Sequence, residues 1–336
     1  MAQQDPKLII QPGPQLRQEM TTPAVMRDVW YALTPATLAG VWFFGFGALL
    51  VLLVSIAGAV LTEWFFSPPE KRRYFIGDGS AILTGWLLGL TLPPALPLWM
   101  AFLGGVVAIG VGKTIWGGMG GNLFNPALVG RAFLLATFPI AMTTWTAPGD
   151  FWTIPSSTFA IPLMHGVVDT VTQASPLGVM KFEYIDTGFF DLLFGTTSGS
   201  LGETSGLLLI LGGIFLWWRR DLDWRIPVGI LGTAMFFSLL LYMSDADKYP
   251  GPIFTALSGG MLLGAIFMAT DPVTSPLTSK GIWIFAIGIG FLVVLIRVFG
   301  GFPEGIMYAI LLMNAATPLI DRYTQPRVFG RGLDTK

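Results

Sequence analysis

Apolar residues along the chain occur in long runs rather than in the one-sided patterns of soluble domains. A helix that crosses a membrane needs about 20 mostly apolar residues. The longest run, 31–66, is too long for one crossing and divides best near Gly45–Gly47. Eight further apolar segments are 79–92, 96–112, 126–145, 204–218, 226–243, 252–269, 281–298 and 303–320. The pattern predicts an all-α polytopic membrane protein with ten transmembrane helices.

Composition agrees with a membrane protein and excludes several kinds of chemistry. Hydrophobic residues make up 53% of the chain and charged residues 12%, against about 25% charged residues in soluble domains. The 42 glycines and 24 prolines favour closely packed, broken helices. The chain has no cysteine and one histidine, His165, which excludes cysteine-ligated iron–sulfur clusters and Cys/His zinc sites within it. The net charge of -1 gives no indication of nucleic-acid binding.

The basic residues indicate how the helices are oriented, because Lys and Arg concentrate in cytoplasmic loops. If the N-terminus is cytoplasmic and ten helices alternate, fifteen of the 19 basic residues fall on the inner side. The other four are Lys181, Lys248 and Arg297 on the outer side and Arg131 within a helix. The sequence therefore predicts cytoplasmic segments at both ends, 1–28 and 322–336. It also predicts a long outer loop, 146–203, which is periplasmic in a bacterium.

Two groups of five helices, 29–145 and 204–321, flank this loop and share weak similarities. Residues 87–89 and 262–264 both read Leu-Leu-Gly. An odd number of helices in each repeat inserts the second copy upside down, so the sequence predicts a 5+5 inverted repeat. In that architecture, ligands lie beside interrupted helices.

Two stretches, 117–126 and 270–276, are candidates for such interruptions. Asn125 precedes Pro126 and Asp271 precedes Pro272, and each pair resembles an N-cap followed by proline at the first helical position. Both pairs are predicted to begin helices whose backbone N–H groups face a ligand or a polar loop. Ordinary helix starts at the membrane surface would show the same pattern.

Several ionisable residues have two interpretations from sequence alone. Asp78, Asp271 and Glu203 lie near helix ends, where they could line a cation path or cap helices. Arg131 is predicted one turn into a helix, where an ionisable residue is a functional candidate by default. Its long side chain could equally extend to the membrane surface. His165 is either a donor to a ligand or an ordinary loop residue.

One stretch of the outer loop contains a carboxylate, Asp169, and two hydroxyls, Thr172 and Ser175. Hydroxyls at this spacing are typical of caps and turns. The stretch also resembles the flavinylation motif of the RnfD/NqrB family, in which an Asp precedes a Ser/Thr-Gly-Ala-Thr block. In that family the last hydroxyl of the block forms a phosphoester with FMN.

Residue by residue, Asp169 matches the Asp of the motif and Thr172 its first hydroxyl residue. Ala174 matches the alanine, and Ser175 stands at the acceptor position. Gln173 replaces the usual glycine and Ser175 the usual threonine. Serine can form the same phosphoester, so the attachment chemistry is retained.

The resemblance to the RnfD/NqrB family covers about residues 30–330. Other stretches that look like family signatures are 78–81, 117–118 with 122–127, 199–205, 269–274 and 299–303. Residues 321–330 are more similar to RnfD members than to NqrB members.

This resemblance implies a membrane subunit of the ion-translocating Rnf complex, which couples electron transfer between ferredoxin and NAD to movement of Na+ or protons. It implies FMN bound covalently to Ser175, with Asp169 and Thr172 nearby. It also implies a non-covalent riboflavin, for which Asn122 and Asn125 are the candidate contacts. The alternative that the pattern leaves open is an inverted-repeat solute channel or secondary transporter without a redox cofactor.

The implied partners are the other Rnf subunits, including those that carry iron–sulfur clusters and flavins, and a flavin transferase that attaches the FMN. The absence of cysteine agrees with clusters that belong to other subunits. The implied location is the bacterial cytoplasmic (inner) membrane, with the flavin loop on the outer side. The charge distribution places that loop on the same side independently of the motif.

Overall fold

The computed structural model describes residues 21–70, 72, 77–149, 151–152, 154–161 and 173–326. Across these residues the chain forms helices joined by turns and loops, without a β-strand. The predicted all-α polytopic membrane architecture is confirmed. Helices long and apolar enough to cross a membrane, by length and composition, are Thr22–Phe66, Leu98–Trp116, Arg225–Ser244 and Ser279–Phe299.

The first helix, α1 (Thr22–Phe66), contains the division predicted near Gly45–Gly47. Gly45 leaves the helical region with φ 78° and ψ −165°, a conformation that glycine adopts without a steric penalty. At this break the N–H of Phe46 donates to the carbonyl of Phe151 at 2.8 Å. The division therefore also attaches the outer loop to α1.

The first group continues with α2 (Ser80–Leu90), α3 (Leu98–Gly110), α4 (Pro126–Thr137) and α5 (Pro139–Thr143). The predicted span 126–145 is not continuous. Phe138 has φ −127° and ψ 58°, because a residue that precedes proline is displaced from the α region.

Glycines let α1 and α3 approach so closely that their backbones touch. A Cβ atom at Gly58 would lie 2.4 Å from the carbonyl oxygen of Phe102. A Cβ atom at Gly105 would lie 2.5 Å from that of Ser55. Small residues at helix crossings are typical of membrane proteins. The glycine content thus serves close packing, as the composition indicated.

The segment predicted to form the outer loop contains α6 (Pro176–Glu183), α7 (Phe189–Phe194) and the 3-10 turns Ser156–Phe159 and Leu201–Glu203. The second group comprises α8 (Gly206–Arg219), α9 (Arg225–Ser244), α10 (Pro252–Leu257), α11 (Met261–Leu263), α12 (Ser279–Phe299) and α13 (Ile306–Thr324). A π-helical turn, Gly264–Met268, extends α11.

The predicted span 252–269 is also broken. Ser258 is extended, with φ −85° and ψ 146°, and Gly259 has a φ of 63°. Broken helices are therefore a feature of both groups. The inverted relationship between the groups and the boundaries 29–145, 146–203 and 204–321 stay predictions.

The prediction that Asp271 and Pro272 begin a helix is wrong. Asp271 accepts the N–H of Val273 on Oδ1 at 3.2 Å, and its carbonyl accepts the N–H of Thr274 at 3.2 Å. These bonds close a turn, and α12 begins several residues later. The hydroxyl of Thr317 in α13 donates to the carbonyl of Thr274 at 3.1 Å, so a tertiary contact holds the turn in place.

Candidate functional site

Ser175, the predicted attachment residue, is the N-cap of α6. Its Oγ accepts the N–H of Gly178 at 3.2 Å, and the residue is 5% exposed. The carbonyl of the preceding Ala174 accepts the hydroxyl of Ser198 at 2.7 Å. The cap bond and this second bond fix the orientation of the backbone on both sides of the Ser175 hydroxyl.

Ser175 and Ala174 line a cavity of about 350 Å³, here called the Ser175 cavity. Three aromatic side chains, those of Trp145, Phe182 and Phe302, line it as well. Cavities that bind small molecules have volumes of about 300–1,000 Å³ and mostly apolar walls with a few polar groups. The Ser175 cavity has these properties.

Charged side chains line the same cavity, and Arg131 and Glu304 form an ion pair there. Arg131 is 4% exposed. It therefore does not extend to the membrane surface, which was one of its two interpretations from sequence. The Arg131–Glu304 pair joins α4 of the first group to the segment before α13 of the second.

The break between α10 and α11 is contacted by α12 and by the Leu201–Glu203 turn. The guanidinium of Arg297 donates from Nη1 to the carbonyl of Thr255 at 2.7 Å and from Nη2 to that of Ser258 at 2.9 Å. A Cβ atom at Gly260 would lie 3.4 Å from Oε1 of Glu203. Glu203 also accepts the N–H of Ser200 in a capping box, so the helix-capping interpretation of Glu203 is confirmed.

Other residues of the flavinylation motif, Asp169 and Thr172, lie outside the described residues, as does His165. Gln173 marks the point where the described chain resumes, and its N–H donates to the carbonyl of Trp145 at 3.0 Å. The end of the motif is thus attached to the rim of the Ser175 cavity.

Asn125 is the N-cap of α4, as predicted. Its Oδ1 accepts the N–H groups of Ala127 and Leu128 at 3.0 and 3.4 Å. Its Nδ2 donates at 3.1 Å to the carbonyl of Met268, the last residue of the π-helical turn. The amide of Asn122 donates to the carbonyl of Phe124 at 3.3 Å. Asn125 therefore links the two groups of helices as well as capping one of them.

Both asparagines line a second cavity, here called the Asn125 cavity, with a volume of about 100 Å³. Its polar lining includes Lys113, Asp221 and Asp271. The amide groups suit the polar edge of a flavin ring, but this volume is below the ~300 Å³ typical of ligand sites. The assignment of riboflavin to Asn122 and Asn125 stays a prediction.

Carboxylates at the Asn125 cavity have raised pKa values. Burial raises the pKa of Asp271, which lies in the turn before α12. Burial and the neighbouring Asp28 raise the pKa of Asp221, between α8 and α9, to about 6, while Arg219 acts in the opposite direction. Charged forms of both groups are therefore disfavoured at this cavity.

A buried ion pair of Lys113 and Glu63 was missed by sequence reasoning. Lys113 also donates to the hydroxyl of Ser80 at 2.6 Å, and Ser80 donates to Asp78 at 2.7 Å. Lys113 and Glu63 are 3% and 5% exposed. Their positions near the ends of apolar segments were the available signal, because a charge buried in a membrane protein needs a partner.

The residues around Ser175 fit a covalently attached flavin. An acceptor hydroxyl, a cavity of sufficient size, aromatic walls for a flat ring and a cation are present together. The hydroxyl caps an eight-residue helix, and helix N-termini favour phosphate groups.

Comparison with known proteins places the chain among membrane subunits. The NQR2, RnfD, RnfE family profile matches residues 9–330. The chain is 42% identical over 331 residues to a subunit of the proton-translocating ferredoxin:NAD(+) oxidoreductase complex from Clostridium ljungdahlii, covering 96% of each chain. It is 40% identical over 329 residues to a subunit of the Na(+)-translocating ferredoxin:NAD(+) oxidoreductase complex from Acetobacterium woodii, covering 96% of this chain and 95% of the relative.

A third relative, a subunit of the ion-translocating oxidoreductase complex from Stutzerimonas stutzeri, is 43% identical over 332 residues. That alignment covers 91% of this chain and 92% of the relative. With matches of this extent, the chain belongs to the NQR2, RnfD, RnfE family.

Proposed function

We propose that this protein is the flavin-carrying membrane subunit of an ion-translocating ferredoxin:NAD(+) oxidoreductase complex, and that FMN is attached to it through the Oγ of Ser175. The observation that supports this most directly is the position of Ser175. The residue that matches the acceptor of the family motif lies at the wall of a ligand-sized cavity with aromatic sides. The names of the relatives support the complex and its overall reaction.

The protein's part in this function is to hold and position the flavin. The Ser175 hydroxyl supplies the ester oxygen, and the first turn of α6 presents N–H groups beside it. Trp145, Phe182 and Phe302 offer flat apolar surfaces to the cavity. Bound FMN supplies the ability to accept electrons and pass them on, which no side chain of this cysteine-free protein provides.

The proposal includes an orientation and partners. The distribution of basic residues supports a bacterial cytoplasmic (inner) membrane location, with both termini in the cytoplasm and the Ser175 loop in the periplasm. Electrons would reach the flavin from neighbouring subunits that carry iron–sulfur clusters or flavins, and a flavin transferase would attach the FMN. Relatives named for protons and for Na+ are similarly identical to this chain, 42% and 40%, so either ion agrees with the proposal.

The test is in-gel fluorescence and peptide mass spectrometry of the chain, purified from cells that also express a flavin transferase. We expect covalent FMN on the peptide that contains Ser175, its loss in Ser175→Ala and its retention in Ser175→Thr. Ser205→Ala is a matched control, because Ser205 is also a buried N-cap serine, accepting the N–H of Leu208 at 3.4 Å. Both alanine variants lose a helix cap, which costs about 1 kcal/mol, but the control should keep the flavin.

The result also separates the proposal from its alternatives. A chain without covalent flavin in the presence of an active transferase would favour the solute channel or secondary transporter. Flavin retained in Ser175→Ala and located on Thr172 would contradict the site and leave the redox function in place.

A further inference from the structure

Arg131 has hydrogen-bonding capacity that the protein does not use. A guanidinium has five N–H donors in a planar fork, and Arg131 directs Nη2 to Glu304. Its Nε, although buried, has no hydrogen-bond partner among the described residues, and neither does Oε1 of Glu304. A side chain that is 4% exposed and retains an unpaired donor indicates that another polar group binds there.

Other cations near the Ser175 cavity bond backbone carbonyls and do not line it, although the Nε of Arg297, like that of Arg131, is buried without a partner among the described residues. Arg297 donates to the two carbonyls at the end of α10. Lys181 donates from Nζ to the carbonyls of Arg297 and Gly300, at 2.9 and 2.5 Å. Among the described residues that line the Ser175 cavity, Arg131 is the one cation.

A flavin attached to Ser175 brings an anion to this cavity. The linkage between FMN and a serine is a phosphodiester, which carries a negative charge at every physiological pH. A buried anion without a partner is strongly unfavourable, and the dipole of the short α6 helix provides only part of a charge. Arginine suits this role, because its fork binds phosphate oxygens through more than one N–H group.

Resting on the proposed attachment of FMN to Ser175, we propose that Arg131 is the counter-charge of the phosphodiester and that Glu304 holds its guanidinium at the cavity. When the flavin is attached, the guanidinium of Arg131 would bond both to the carboxylate of Glu304 and to the phosphodiester. Arg131 is thus a positioning residue for the flavin and not a catalytic one.

The proposal predicts two changes of opposite sign in the stabilisation that flavin attachment brings. In Glu304→Gln, Arg131 lacks its carboxylate before attachment, so the phosphodiester should stabilise the protein more than in the wild type. In the double variant Arg131→Gln/Glu304→Gln, both charges are removed together and no unpaired carboxylate remains. Attachment should then stabilise the protein much less than in the wild type.

The experiment measures unfolding midpoints of the full-length chain in detergent, with and without covalent FMN, from cells with and without the flavin transferase. The difference between the midpoints with and without FMN is then compared between each variant and the wild type. Each comparison is a thermodynamic cycle in which one step is the substitution and the other is the attachment of FMN. A matched control is Asp28→Asn/Arg219→Gln, which removes the ion pair between α1 and α8, whose residues do not line the Ser175 cavity. The control should keep the wild-type difference.

We expect the difference to grow in Glu304→Gln and to fall by at least half in the double variant. The proposed role of Arg131 is overturned if the midpoint difference of either variant equals that of the wild type. It is also overturned if the midpoint difference changes by the same amount in the control. Glu304→Gln decides the question by itself if the double variant does not fold. If mass spectrometry finds no FMN on the Ser175 peptide of the wild type, the proposed function fails, whereas a flavinylated protein with an unchanged difference contradicts this inference alone.

Discussion

Replacing Arg297 with methionine should destabilise the break between α10 and α11. Arg297 is 8% exposed and donates to the carbonyls of Thr255 and Ser258 at 2.7 and 2.9 Å. These carbonyls lie at the end of α10, where no further helical turn is available to satisfy them. In a membrane protein, water cannot readily replace the hydrogen bonds that Arg297 gives to these carbonyls. The resulting loss of stability should therefore be measurable.

The magnitude follows from the two hydrogen bonds and the surrounding charges. Bonds to a charged group contribute about 1.5–3 kcal/mol each, so together they contribute about 3–6 kcal/mol. Removing the guanidinium also removes its desolvation penalty, but it leaves Arg131 as the remaining positive neighbour of Glu203 and Glu304. We expect a net loss of about 3 kcal/mol for Arg297→Met and about half of that for Arg297→Lys, because one ammonium cannot bond both carbonyls in the same way.

The assay is equilibrium unfolding by SDS in mixed micelles, followed by tryptophan fluorescence. Arg225→Met is the control, because Arg225 and its partner Asp223 are 27% and 29% exposed, and such pairs contribute about 0–1 kcal/mol. The reasoning is refuted if Arg297→Met is no less stable than Arg225→Met. It is also refuted if Arg297→Lys is less stable than Arg297→Met.

Two further predictions concern a titrating carboxylate and a tight turn. Because the pKa of Asp221 is raised to about 6 by burial and Asp28, its charged form opposes folding above that pH. Asp221→Asn should raise the free energy of unfolding by about 1 kcal/mol at about pH 8, after allowance for solvent screening, and change it little at about pH 4. An equal change in the free energy of unfolding at both pH values would contradict this prediction. Gly195 has a φ of 89°, and a Cβ atom there would lie 1.1 Å from the carbonyl oxygen of Thr204. Gly195→Ala should therefore greatly reduce the yield of folded protein. Gly117 has a φ of 99° but open space around it, so Gly117→Ala should lower the stability by only about 1–2 kcal/mol. Similar yields of the two folded variants would count against the steric argument.

Helix breaks show where local sequence was sufficient and where it was not. The division at Gly45 was predictable, because the apolar run was too long for one span and contained glycines. The break at Phe138 was marked only by the following proline, which membrane helices often tolerate. Asn125 and Asp271 both precede proline, yet only Asn125 begins a helix. At Asp271 the chain forms a turn instead, and the carbonyl of Thr274 in that turn accepts a hydrogen bond from Thr317, which is remote in sequence.

The sequence by itself determined that this protein lies in a membrane and that it is helical. It also determined which residue matches the flavin acceptor of the family motif. These properties follow from local composition, from the length of apolar runs and from one motif around Ser175. The need of each buried charge for a partner also follows from sequence, since unpaired charges are costly in an apolar interior. The choice of partner does not.

Only the tertiary structure decided that Arg131 pairs with Glu304, 173 residues away, and that Lys113 pairs with Glu63, 50 residues away. It also decided that Ser175 faces a cavity that contains Arg131. The physical reason is that these contacts depend on which helices cross and how closely their backbones approach. No local pattern of hydrophobic and polar residues specifies that geometry.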